Sequence, residues 1–100
     1  MALTRWAFIY TLGDPTAEVR RDEIGSDACR LIAIGVPRVA DAAGVAAALA
    51  EEGVELIELC GAFDAGGLEL VAKAAGGAVP TGAVFYGGGA VSALHALFGD

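Results

Sequence analysis

Four short apolar runs set the rhythm of the chain. They are Arg5–Leu12 (RWAFIYTL), Cys29–Val36 (CRLIAIGV), Val54–Cys60 (VELIELC) and Val79–Tyr86 (VPTGAVFY). Each is rich in β-branched or aromatic residues, short enough for a strand, and bounded by Gly, Pro or Asp. Between them the apolar positions recur at helical spacing. Val39, Ala42, Ala43, Ala46, Leu49 and Ala50 fall on one helix face, Asp41, Glu51 and Glu52 mark its wet side, and Gly53 ends it. A later helix starts from an Asp64 cap, turns Leu68, Val71, Ala72 and Ala75 inward, pairs Glu69 with Lys73, and stops at Gly76-Gly77. The pattern also predicts a first helix with Asp14 as cap and Pro15 at its first position, running through TAEVRRDEI until Gly25. A last helix is predicted over Ala90–Phe98.

Strands alternating with helices imply right-handed βαβ crossovers. The predicted fold class is therefore α/β: a small single domain over residues 1–100, ordered βαβαβαβα, with a mainly parallel four-stranded sheet. An open sandwich with helices on both faces is the favoured form. Half of a (β/α)-barrel fits the same pattern. So does a ferredoxin-like arrangement, in which the first helix pattern is an irregular excursion and the second strand returns antiparallel.

Composition narrows the partners. Thirteen acidic against six basic residues give a net charge of −7, and the basic residues are scattered, which argues against nucleic acid. Ala74 to Leu94 carries no charge and approaches the length of a membrane span, but the glycines, Pro80 and Thr81 inside it fit a strand, a loop and a helix start better. The opening MALTRWAFIYTLGD lacks the basic and small-residue regions of a signal peptide, so a soluble cytoplasmic protein without a membrane partner is expected. Cys29 and Cys60 lie in separate predicted strands, and a single histidine with no Cys-x-x-Cys pair supports neither a disulfide nor a metal site. A sheet this small leaves an edge or a helix face bare, so a homodimer is expected.

In parallel α/β folds ligands gather at the carboxyl ends of the strands. Glycine stands at each of those ends: Gly13, Gly35, Gly61 and the triplet Gly87, Gly88 and Gly89. Turns that need positive φ account for Gly13 and Gly35. The triplet leads into a helix N-terminus and is a candidate cradle for an anionic small molecule. It lacks the lysine and hydroxyl of a P-loop and the G-x-G-x-x-G spacing, so no cofactor is signalled. Tyr10, Thr11 and Tyr86 also sit at strand ends, as candidate hydrogen-bonding groups for a ligand.

Three residues carry candidate chemistry. Glu58 interrupts an otherwise apolar strand, where an ionised carboxylate must be paired, protonated or facing a cavity. Cys60, two residues on, is expected on the same face, as nucleophile or acid beside the Glu58 base. His95, the only imidazole, is a candidate partner for the thiol, against the plainer reading of a structural or exposed histidine.

The segment EEGVELIELCGAF and the helix before it resemble a family of small, uncharacterised bacterial proteins of about one hundred residues, in which a strand reads I-E-L-C-G-G-F. The matching positions are Ile57, Glu58, Leu59, Cys60, Gly61, Ala62 and Phe63, with Ala62 in place of the second glycine. The resemblance implies the unit boundaries and the prominence of Glu58 and Cys60, and no reaction. Two readings of function follow: a cofactor-independent isomerase or lyase with its site at the strand carboxyl ends, or a non-catalytic domain for ligand binding or subunit interaction.

Overall fold

Ala7 and Ile9 have no exposed surface, whereas Trp6, Phe8 and Tyr10 between and beside them are only half-buried. That alternation defines a sheet with two unlike faces, one sealed and one bare. The computed structural model describes residues 2–99. It contains the strands β1 (Arg5–Thr11), β2 (Arg20–Gly25), β3 (Arg30–Val36), β4 (Ile57–Leu59) and β5 (Thr81–Ala83), and the helices α1 (Ala42–Glu51), α2 (Ala65–Ala74) and α3 (Val91–Phe98). Single 3-10 turns at Val39–Asp41 and Gly88–Ala90 lead into α1 and α3.

The five strands form one mixed sheet in the order β2-β3-β1-β4-β5. β1 pairs in parallel with β3 and β4, and β4 with β5, while β2 is antiparallel to β3 at the edge. The α/β class and the predominance of parallel pairing agree with the sequence reading. The four-strand count does not. Where a first helix is predicted, Asp14 caps only a turn, accepting from the Thr16 N–H at 2.9 Å and the Thr16 hydroxyl at 2.7 Å, and the chain then extends into β2. The reason is non-local: every β2 residue pairs with β3, from Arg20 opposite Gly35 to Gly25 opposite Arg30. That ladder outweighs the local helix signal. Cys29 accordingly lies in the hairpin turn, where its carbonyl accepts from the Ser26 N–H at 3.0 Å.

The favoured sandwich with helices on both faces is also corrected. α1 and α2 pack against each other and share one core with Ile9, Ile32, Ile34, Ile57 and Leu59, so both lie on the same face of the sheet. Ala42, Ala46 and Leu49 of α1 and Val71 of α2 are buried there. The expected caps hold: Asp64 Oδ1 accepts from the Gly67 N–H at 2.7 Å, and Gly53, Gly76 and Gly77 adopt positive φ after the helices. Outside the core, Arg21 of β2 grips Glu52 at the end of α1 through two hydrogen bonds of 2.9 and 2.7 Å. That pair ties the edge strand to the helix layer.

Gly35 differs from its expected role. It lies inside β3 without positive φ, and a Cβ there would come within 2.7 Å of Leu12 Cδ2 and 2.9 Å of the Tyr10 ring. Its glycine serves close approach, not a turn.

Candidate functional site

All the parallel strands end on one side of the sheet, so the segments following β1, β4 and β5 meet there. Two hydrogen bonds carry the pairing beyond the strand ends: the Cys60 N–H donates to the Ile9 carbonyl and the Val84 N–H to the Leu59 carbonyl, both at 3.0 Å. They hold Gly61 and Tyr86 beside Thr11. At Gly61 an added Cβ would lie 3.4 Å from the Tyr86 ring, so the ring rests on a bare stretch of backbone. Thr11, Gly61, Ala62, Tyr86 and Phe98 of α3 line a cavity of about 500 Å³. Its walls are mainly apolar, with the Thr11 and Tyr86 hydroxyls as polar points.

A second cavity, of about 310 Å³, opens on the bare face of the sheet and is lined by Glu58, Gly82, Ala83, Val84 and Phe85. Glu58 is exposed there, flanked by Phe8 of β1 and Gly82 of β5, with Ile57 and Leu59 buried on the opposite face. Its carboxylate makes no hydrogen bond or ion pair among the described residues. Cys60 does not share this cavity. β4 ends at Leu59, the chain turns so that the Phe63 N–H donates to the Cys60 carbonyl at 3.2 Å, and the half-buried thiol packs against the apolar core. The common face expected for Glu58 and Cys60 presumed a strand running one residue further than it does.

The remaining candidates are dispersed. Tyr10 lies on the bare sheet face, stacked on Phe8 with ring centroids 6.3 Å apart, away from the strand-end cavity. Gly87, Gly88 and Gly89 are exposed, form the turn that starts α3, and line neither cavity. His95 is exposed on α3 and lines neither. Of the expected ligand-binding residues, then, Thr11, Gly61 and Tyr86 come together. Ala62 and Phe98 join them unforeseen, because an alanine gives no chemical signal and Phe98 reads in sequence as one more apolar position of a terminal helix.

Among the described residues no three His, Cys, Asp or Glu side chains gather to hold a metal ion, and no helix is long and apolar enough to cross a membrane. Fold and site together define a two-layer α/β protein with an apolar cavity at the carboxyl ends of its parallel strands. The chain belongs to DUF6506, a family of unknown function, which it matches over residues 4–99. The family resemblance carried by Ile57 to Phe63 is thereby borne out at the level of an uncharacterised family. No curated protein and no solved structure matches the chain.

Proposed function

We propose that this protein binds a small molecule with an apolar body and one polar or anionic edge in the cavity between Thr11, Gly61, Ala62, Tyr86 and Phe98. The observation that carries this reading is the cavity itself: about 500 Å³, at the strand ends where α/β folds collect ligands, with two aromatic walls and two hydroxyls. Gly61 lets the Tyr86 ring edge and hydroxyl lie close over the backbone, 3.4 Å from where a Cβ would stand, so that the ring forms a wall of the cavity. A fluorescent anilinonaphthalene sulfonate combines an apolar body with one anionic edge and serves as the probe. Gly61→Leu, which fills the cavity from its floor, is expected to weaken probe binding at least about tenfold, while Glu58→Gln leaves it unchanged. Equal binding by wild type and Gly61→Leu would place the ligand elsewhere.

A second reading keeps the chemistry of an isomerase or lyase, with Glu58 as proton carrier. It is favoured by a carboxylate that lacks a partner among the described residues and faces a cavity beside Phe8 and Phe85. In that reading Cys60 and His95 take no part, since neither lines the Glu58 cavity. Native mass spectrometry of protein purified from its host separates the two: a retained small molecule lost in Gly61→Leu supports the strand-end cavity, and one lost in Glu58→Gln supports the sheet-face cavity.

A further inference from the structure

The bare face of the sheet is assembled from Trp6, Phe8 and Tyr10 of β1 and Leu31 of β3, all half-buried around the buried Ala33, with Ile24 of β2 beside them, in register across three strands. Ile24 is 53% exposed. Beyond β5 the same surface continues into Val84 and Phe85, and Phe85 is 87% exposed. Among the described residues α1 and α2 lie on the other side of the sheet, and α3 lies at the strand ends, with Phe98 beside Thr11 and Gly61. Only Glu58 and Gly82 separate the two apolar parts of this face, and exposed apolar surface rimmed by polar residues marks an interaction site.

We propose that the face is covered by the same face of a second copy of this chain, so that the Glu58 cavity of each copy is closed by its partner. Charge permits that occupant, with Glu58 as the uncompensated carboxylate on each copy's face. The chain carries a net charge of −7, yet the only charged strand residues on this face are Arg20, Asp22 and Glu58, and Arg20 is paired with Asp22 at 2.7 Å. From Ala74 to Gly99 there is no acidic residue, lysine or arginine, so the Val84–Phe85 extension is free of like-charge repulsion as well. Two acidic molecules can therefore approach here at the lowest electrostatic cost.

Edge-to-edge pairing is disfavoured by contrast. β2 presents Arg20, Arg21, Asp22 and Glu23 along its edge, and β5 is only three residues long. Size fits too. Five strands about 4.8 Å apart make a face roughly 20 Å across, which, with the Val84–Phe85 extension and side-chain relief, approaches the ~800 Å² per partner of a standard interface. Sheets stacked face to face at about 10 Å leave room for the aromatic side chains of both copies to interleave.

The pairing does not depend on a ligand in the strand-end cavity, so its failure and that of the proposed function are separately visible. Sedimentation velocity over a micromolar concentration series is expected to give twice the chain mass. Phe85→Lys and Ile24→Lys, both at exposed positions, are expected to raise the dissociation constant at least about tenfold with unchanged circular dichroism. Leu70→Lys, on the outer side of α2 and 65% exposed, is expected to leave it unchanged. An independent readout needs no variant: Trp6 is the only tryptophan and lies on the face, so dilution should red-shift its emission and increase acrylamide quenching. A wild type that stays monomeric overturns the proposal, whatever other partner then covers the face. So does a dimer that Phe85→Lys and Ile24→Lys disturb no more than Leu70→Lys does.

Discussion

Glu55 shows how one side chain ties separate segments together. A single carboxylate oxygen, Oε1, accepts from the Thr4 N–H at 2.8 Å, the Thr4 hydroxyl at 2.8 Å and the Arg5 N–H at 2.9 Å, pinning the start of β1 to the segment before β4. The Thr4 N–H, then its hydroxyl, then the Arg5 N–H hold this carboxyl below its ordinary value of 4.5. The Arg21 guanidinium does the same for Glu52, and the Thr16 hydroxyl for Asp14. A carboxyl depressed in the folded state binds its proton more readily when unfolded. Its contribution is therefore present above the unfolded value and is lost as pH falls through the folded one. The thermal midpoint is expected to hold from neutrality to about pH 5 and to drop below it. Glu55→Ala is expected to lower the midpoint at neutral pH and to flatten the acid limb, as read by thermal melts across the pH range. An acid limb as steep as that of the wild type would assign the pH dependence to other carboxylates.

At the scale of elements, the β2–β3 hairpin is where local and non-local forces disagree. Its turn depends on Gly25, whose φ of +115° is nearly closed to other residues, and an added Cβ would collide with the Cys29 carbonyl. Gly25→Ala is expected to cost about 1–3 kcal/mol in urea melts. Gly44→Ala serves as its opposite: Gly44 lies within α1 with open space around it, so alanine should stabilise by about 1 kcal/mol. A neutral Gly25→Ala would mean that the turn relaxes freely. The same hairpin explains what the chain's pattern could disclose. α1 and α2 were legible because caps, stops and inward faces are local features, and Asp64, Gly53 and Val71 stand where the pattern puts them. β2 was not, since Asp-Pro followed by charged residues reads as a helix start and only the β3 ladder makes a strand of Arg20–Gly25. The placement of both helices on one face was equally hidden, because their inward alanines look alike whichever face they cover. Glu58 was legible as an anomaly and does face a cavity, but its exposure was not legible: between buried Ile57 and Leu59 it lies on the bare face of the sheet, where a carboxylate stays solvated. Of the strand-end cavity, Thr11, Gly61 and Tyr86 could be chosen by position, whereas the separation of Cys60 from Glu58 depended on where β4 stops.

At the scale of the whole molecule, the excess of acid becomes a force between copies. Each chain carries a net charge of −7, while the bare sheet face holds a neutralised Arg20–Asp22 pair and the lone carboxylate of Glu58. Two copies meeting through that face gain apolar contact at short range and repel through charges spread over the rest of their surfaces. Salt screens the second effect over distances of about 10 Å at 0.1 M and less at higher concentration, while leaving apolar burial intact. Association is therefore expected to strengthen as sodium chloride is raised, with a dissociation constant that falls several-fold between low and moderate ionic strength in sedimentation equilibrium. An interface built on opposite charges, such as one through the Arg20–Glu23 edge of β2, would weaken under the same change. The sign of the salt dependence thus separates pairing through the apolar face from pairing through the charged edge. Glu58→Gln, which removes the one unpaired charge from the face, should strengthen the dimer at low salt and reduce its response to added salt.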